Sequence, residues 1–142
     1  GLQLDTKKAR RRHAGALAAR VQLINLEELE LYLYESDICL APFLKNRQHE
    51  SGVANKIYDY MLGRKPIVAS DCKPQKNLIE QYSCGLVYSN RDELRHCLSA
   101  LLDDSTLRST MGENGFKAVR DNFNTGIVKD NLLNCYAQAL GK

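Results

Sequence analysis

Short apolar segments alternate with amphipathic segments of helical period through most of this 142-residue chain. The apolar runs lie at residues 21–24, 37–43, 66–70 and 84–89, and leucine, isoleucine and tyrosine recur at helical spacing between them. Strands that are apolar throughout, without alternation, are typical of parallel sheets buried on both faces. The pattern therefore predicts an α/β fold: a Rossmann-like parallel sheet flanked by helices, ending in two or three consecutive helices.

Length and composition predict one soluble domain that spans residues 1–142. Hydrophobic residues make up 44% of the chain and charged residues 26%, which excludes a disordered or low-complexity chain. No apolar run approaches the roughly 20 residues of a membrane-spanning helix, so we expect a cytoplasmic protein. The cysteines are odd in number and never form a CxxC pair, which favours buried reduced thiols over disulfides or a zinc site. They are Cys39, Cys72, Cys84, Cys97 and Cys135.

The positive charge is concentrated near the start of the chain. Residues 1–20 contain six lysines and arginines against one aspartate, and five of the six form the run KKARRR at 7–12 on a predicted helix. Such a run is either a solvated helix face or a surface for nucleic acid or an anionic membrane. No aromatic residue is interleaved for base stacking, which makes nucleic acid the weaker alternative.

The segment 43–63 carries the clearest chemical signal. A polar loop follows a buried strand and leads into a helix, and a helix N-terminus of this kind is suited to bind an anion. Gly52 has no side chain to hinder the approach of a phosphate, and Asp59 offers a carboxylate to a vicinal diol such as a ribose. The alternative is that Gly52 is only a turn residue and Asp59 only a solvated charge.

Four blocks of sequence also resemble a known family. In order they are DICLAPF, ANKIYDYMLGRKPIVASD, CGLVYSNRDEL and MGENGFKAVRDNFN. They are similar to the carboxyl-terminal, donor-binding domain of retaining nucleotide-sugar glycosyltransferases of the family-four, two-Rossmann-domain (GT-B) type. The resemblance implies transfer of a sugar, with retention, from a nucleotide diphosphate to a saccharide or lipid-linked acceptor. It also implies polysaccharide biosynthesis at the inner face of the cell membrane, without a metal or another cofactor.

The same resemblance assigns residues to the donor. The family has two glutamates separated by seven residues; the second matches Asp59, and the first falls at Ser51, with Glu50 one position earlier. Backbone amides near Gly52 are expected to face the diphosphate. The implied donor-binding set is Glu50, Ser51, Gly52, Val53, Asn55, Lys56 and Asp59, while catalytic residues stay unassigned. At Gly63-Arg64 the chain departs from the family, which usually has its glycine at the second position.

The resemblance further implies that the domain is incomplete. The family's domain begins with two strands that have no counterpart here, and its acceptor-binding domain has none either. We therefore expect this chain alone to be inactive, and its exposed strand edge to favour a homodimer. Two alternatives stay open: a non-catalytic module that binds nucleic acid or an anionic membrane through its basic helix, and a sugar-nucleotide epimerase of the same architecture.

Several side chains have a structural interpretation. Tyr58 and Tyr60 are expected to be core or helix-packing residues rather than to stack on a base. Arg64 and Lys65 follow a helix end, where cations complement the helix dipole. Asn90 and Glu93 have the spacing of a capping box, and His49 is the one histidine in the candidate loop.

Overall fold

The computed structural model describes residues 26–126 and, beyond them, residues 134, 135 and 138. Within 26–122 the helices and strands are α1 (Leu26–Glu35), β1 (Cys39–Ala41), α2 (Asn55–Leu62), β2 (Ile67–Ser70), α3 (Lys73–Tyr82), β3 (Gly85–Tyr88), α4 (Arg91–Asp103) and α5 (Ser105–Asn122). The predicted helix over 6–19, the strand over 21–24 and nearly all of the last predicted helix, from Thr125, lie outside the described residues.

The three described strands form one parallel sheet in the order β1-β2-β3. Leu40 aligns with Val68, and Val68 aligns with Leu86 in the next strand. In the middle strand Ile67, Val68 and Ala69 are fully buried although successive side chains point to opposite faces, so this strand is covered on both sides. The expectation of burial on both faces is wrong for the two outer strands: Leu40 of β1 is 45% exposed, and all four residues of β3 are half-buried. The predicted α/β fold is confirmed, and the described sheet is consistent with an incomplete Rossmann-like domain.

The main core lies between this sheet and helices α2, α3 and α5. Its helical members are Ile57 and Met61 of α2, Leu78 and Ile79 of α3, and Ala118 and Val119 of α5. Helix α4 packs mainly against β3. It begins with the predicted capping box: Asn90 Oδ1 accepts from the amides of Asp92 and Glu93, and the Glu93 carboxylate accepts from the Ser89 amide.

The burial of the cysteines agrees only in part with the expectation that they are buried reduced thiols. Cys39, Cys72 and Cys84 are buried, and burial raises the pKa of the Cys39 and Cys84 thiols to about 11. Cys97 is half-buried, whereas Cys135 is exposed, so the expectation of buried thiols is wrong at that position. A helix that leaves one face in solvent exposes whatever side chain falls on that face.

Two glycines lie buried inside α5, where their low helix propensity predicts a weak point. The helix nevertheless runs uninterrupted for 18 residues. A Cβ added to Gly112 would overlap the backbone carbonyl oxygen of Arg64 and lie 2.7 Å from its carbon. A Cβ on Gly115 would lie 3.3 Å from side-chain atoms of Met61 and Cys84. The glycines therefore let α5 approach the neighbouring backbone closely.

The turn after α2 explains the unusual Gly63-Arg64 pair. Gly63 has φ −71°, whereas Arg64 has φ 55°, in the left-handed region that favours glycine. The Arg64 guanidinium lies 3.6 Å from the centroid of the Phe116 ring and pairs with Glu113. Both contacts are with α5, so the expected role of Arg64 at the end of α2 is wrong.

Lys65 also has a different partner from the expected one. Its Nζ donates to the Tyr34 carbonyl oxygen at 3.0 Å, in the last turn of α1. The cation therefore lies at the C-terminus of a neighbouring helix rather than at the end of α2.

Candidate functional site

A cleft of about 340 Å³ lies where the three strands end. Ligands of open parallel sheets bind at this carboxyl edge. The residues that line the cleft end or directly follow β1, β2 and β3: Pro42, Phe43, Leu44, Lys45, Ser70, Asp71, Tyr88 and Ser89.

Hydrogen bonds between strand ends hold the walls of this cleft together. The Phe43 amide donates to Ser70 Oγ at 2.7 Å, and the Ser70 hydroxyl donates to the Phe43 carbonyl oxygen, also at 2.7 Å. The Asp71 amide donates to the Tyr88 carbonyl oxygen at 2.9 Å. The segments that follow the three strands are thus connected to one another.

Asp71 is the charged centre of the cleft. Lys45 Nζ lies 3.0 Å from Asp71 Oδ2, Lys76 Nζ lies 3.8 Å from Oδ1, and Ser89 Oγ donates to Oδ2 at 3.4 Å. The hydrogen bond from Lys45 holds the pKa of the Asp71 carboxyl below its usual value. The sequence did not reveal this cluster, because the clearest chemical signal lay in one segment, residues 43–63. The usable signal was that Lys45 and Asp71 come shortly after predicted parallel strands and that Ser89 ends one.

The N-terminus of α2 carries no side-chain cap. Ala54 is its N-cap residue, and the first turn contains no acidic residue. Lys56 Nζ lies 4.3 Å from the centroid of the Phe43 ring, which is part of the cleft wall. Burial lowers the pKa of Lys56 from its ordinary value. Lys56 therefore brings one cation to Phe43, and the positive end of the helix dipole lies in the same first turn of α2.

Asp59 lies one turn further along the same helix. A rise of 1.5 Å per residue places it about 6 Å from Asn55 along the helix axis. Its side chain is half-buried, and its carboxylate makes no hydrogen bond or ion pair within residues 26–126. The backbone carbonyl, by contrast, accepts from the Gly63 amide at 2.9 Å. The carboxylate thus has hydrogen-bonding capacity that the described fold does not use.

The predicted donor-binding residues of the loop differ in the contacts that they make. The Glu50 carboxylate contacts the Lys73 amide at the start of α3, at 3.4 Å, and Ser51 Oγ donates to the Gln48 carbonyl oxygen at 2.7 Å. Val53 packs against the core. Gly52 and Asn55 are exposed, and a Cβ added to Gly52 would meet no atom within 4 Å.

The aromatic residues near the loop make packing contacts. The Tyr58 ring lies edge-on to Phe123 with 5.2 Å between centroids, and the Tyr60 hydroxyl donates to the Leu40 carbonyl oxygen at 3.3 Å. Both tyrosines pack against the core, so the prediction that they are core or helix-packing residues is confirmed. His49 Nδ1 lies 2.9 Å from the Leu44 carbonyl oxygen, and its ring lies 4.9 Å from that of Phe43. His49 therefore closes the turn of the loop.

Two features that would indicate other functions are absent from residues 26–126 and from the few residues described beyond them. No group of three histidine, cysteine, aspartate or glutamate side chains there is arranged to hold a metal ion. No helix in the same part of the chain is long and apolar enough to cross a lipid bilayer.

Fold and cleft together define an α/β protein of the Rossmann-like class, with its ligand edge at the carboxyl ends of the strands. Residues 3–104 match the family described as glycosyl transferases group 1, and the match includes the whole cleft and the candidate loop. The chain therefore belongs to the group 1 glycosyltransferases. No curated protein and no solved structure matches the chain.

Proposed function

We propose that this chain is the donor-binding part of a glycosyltransferase that uses a nucleotide diphosphate sugar and transfers the sugar with retention. One observation carries the proposal: Lys56, in the first turn of a helix whose N-terminus has no side-chain cap, lies over the ring of Phe43, which lines a cleft at the carboxyl edge of the sheet. A helix N-terminus and a lysine are suited to a diphosphate, and the cleft has room beside them for a nucleoside.

Within this proposal the loop and α2 divide the donor between them. Amides near Gly52 and Asn55 bind the diphosphate, with Lys56 as a nearby cation. The Asp59 carboxylate accepts from the ribose hydroxyls. Ser51 suits the sugar contact better than Glu50, because the Glu50 carboxylate is already engaged at the Lys73 amide.

The chemistry proposed for these residues is positioning and electrostatic stabilisation. As the bond to the sugar breaks, negative charge develops on the departing diphosphate. The α2 dipole and Lys56 would stabilise that charge without reorganising. The acceptor of the sugar is a saccharide or a lipid-linked saccharide.

A titration of the chain with uridine, guanosine and adenosine diphosphates tests the proposal. At least one of them is expected to bind, and Asp59→Ala is expected to lower its affinity about ten- to a hundredfold. That range corresponds to a charge-assisted hydrogen bond of about 1.5–3 kcal/mol. The urea midpoint is expected to stay near that of the unmodified chain, since the carboxylate makes no hydrogen bond or ion pair within residues 26–126.

Two further variants serve as controls. Asp59→Glu restores the residue of the resembled family and is expected to bind the nucleotide. Asp103→Ala removes an exposed aspartate at the far end of α4 and is expected to change nothing. Failure of all three nucleotides to bind, or normal binding by Asp59→Ala, would contradict the proposal.

Because the chain alone is expected to be inactive, activity assays of an enzyme that joins it to an acceptor-binding domain separate the transferase from the epimerase alternative. A sugar-nucleotide epimerase changes the donor sugar without any acceptor, whereas the proposed enzyme requires one. The anomeric configuration of the product, measured by NMR, then distinguishes retention from inversion.

A further inference from the structure

Gln75 stands out because it is polar and completely buried in the first turn of α3. Its Nε2 donates to the backbone carbonyl oxygen of Gly52 at 3.3 Å. Its Oε1 has no hydrogen-bond partner in the described part of the chain. The opposite orientation of the amide would place Oε1 against the Gly52 oxygen, so that two acceptors would face each other.

A buried acceptor without a partner destabilises a fold. Methionine has nearly the same length and shape as glutamine and would fill this site without that penalty. Packing therefore does not account for a glutamine at this position. What methionine cannot provide is the hydrogen bond to Gly52.

Gly52 lies in the loop between β1 and α2, and the first turn of α3 contacts this loop at a second point. The Lys73 amide lies 3.4 Å from Glu50 Oε2. The two contacts fall on either side of Ser51 and join segments 23 residues apart in sequence. The other hydrogen bonds of residues 46–54 are local, such as the one from Ser51 Oγ to the Gln48 carbonyl oxygen.

We propose that Gln75 is a positioning residue for the nucleotide-sugar donor: its amide holds the Gly52 carbonyl and so sets the course of the loop before α2. This inference rests on the proposed function, in which the amides near Gly52 bind the diphosphate. Gln75 acts through the loop and is not assigned a contact with the donor.

The test compares Gln75→Met with Gln81→Met in the 142-residue chain. Both variants make the same chemical change on α3, but Gln81 is exposed and lies near the other end of the helix. Three quantities are measured: the urea midpoint, amide hydrogen exchange of residues 44–54 without nucleotide, and affinity for uridine, guanosine and adenosine diphosphates.

For Gln75→Met we expect an unchanged or higher urea midpoint, because the unpartnered acceptor is removed. We expect loop exchange to be several-fold faster and the affinity for the bound nucleotide about five- to tenfold lower, as for the loss of one hydrogen bond. Gln81→Met is expected to match the unmodified chain in all three. A purely structural role predicts instead a lower midpoint with unchanged affinity.

The outcomes separate this proposal from the proposed function. Unchanged loop exchange in Gln75→Met overturns the inference whether or not a nucleotide binds. Faster exchange with unchanged affinity also overturns it, because the loop would then not govern the donor. If the unmodified chain binds none of the three nucleotides, the proposed function fails and the role of Gln75 in donor binding fails with it. Loop exchange still decides whether Gln75 anchors the loop.

Discussion

Different kinds of contact hold the structure at the carboxyl ends and at the amino ends of the described strands, here called the carboxyl edge and the amino edge of the sheet. At the carboxyl edge, polar side chains such as Ser70, Asp71 and Gln75 connect loops that surround an open cleft. At the amino edge, the turn after α2 is pressed against the backbone of α5 at Gly112, and Arg64 lies flat on Phe116. One edge has room for a ligand, and the other has no room for a single added methyl group.

This difference separates positions that govern stability from positions that govern binding. At the amino edge an added atom meets backbone, which yields little in a close-packed interior. At the carboxyl edge an added atom projects into solvent or toward a ligand. Substitutions of the same kind at the two edges are therefore expected to affect different measurements.

The largest expected effect is that of Gly112→Ala. The added Cβ would overlap the Arg64 carbonyl, so α5 or the turn must shift, and we expect a loss of about 3 kcal/mol in the free energy of unfolding. Urea denaturation measures this loss in the free energy of unfolding. A loss below about 1 kcal/mol would show that this edge is more yielding than the contacts indicate.

Gly52→Ala is the matched substitution at the carboxyl edge. Open space surrounds Gly52, so we expect a change in unfolding free energy within about 0.5 kcal/mol. The new methyl group is expected to weaken nucleotide binding, because it occupies the approach of the diphosphate. Unchanged affinity would remove Gly52 from the proposed donor site.

After Gly112→Ala, the next largest effect on stability is expected at Arg64, whose backbone is in the left-handed region. Arg64→Ala loses the contact with the Phe116 ring, about 0.5–1 kcal/mol, and keeps the unfavourable φ. Arg64→Gly loses the same contact but relieves the backbone, by about 1 kcal/mol. We therefore expect Arg64→Gly to unfold at a higher urea concentration than Arg64→Ala. Equal midpoints would mean that φ at this position carries no cost.

The smallest effect is the pH dependence due to Asp71. Lys45 lowers the pKa of this carboxyl in the folded chain, so its contribution to stability is present above the ordinary pKa of 3.8 and is lost as the pH falls below it. Asp71→Asn is expected to reduce stability slightly at pH 7 and to make no difference near pH 2. Lys45→Met should show the same trend, and a difference that persists at pH 2 would point to a cause other than this ion pair.

Local pattern was sufficient for the elements of the fold. The apolar runs that became β1, β2 and β3, and the helical spacing of α1 through α5, depend on side-chain periodicity over ten or so residues. The capping box at Asn90 also involves near neighbours in sequence. Both ends of α3 carry local signals, a proline in its first turn and a left-handed Ser83 directly after it.

The candidate site could be predicted only in part. Sequence directed attention to the loop and α2, including Gly52 and Asp59, because a polar loop before a helix is itself a local signal. It did not reveal Asp71 or Gln75, whose side-chain hydrogen bonds reach residues at least 18 positions away in sequence. It also placed Glu50 toward a donor, whereas the fold directs its carboxylate to the start of α3.

The sequence by itself determined which of the described segments are strands and helices, and that the strands are parallel, because periodicity is a property of neighbouring residues. Only the tertiary structure decided that Gly112 must remain a glycine, that Arg64 takes a left-handed conformation and that Gln75 is buried beside Gly52. Each of these depends on how closely two distant backbones approach, and that distance exists only once the helices have packed on the sheet.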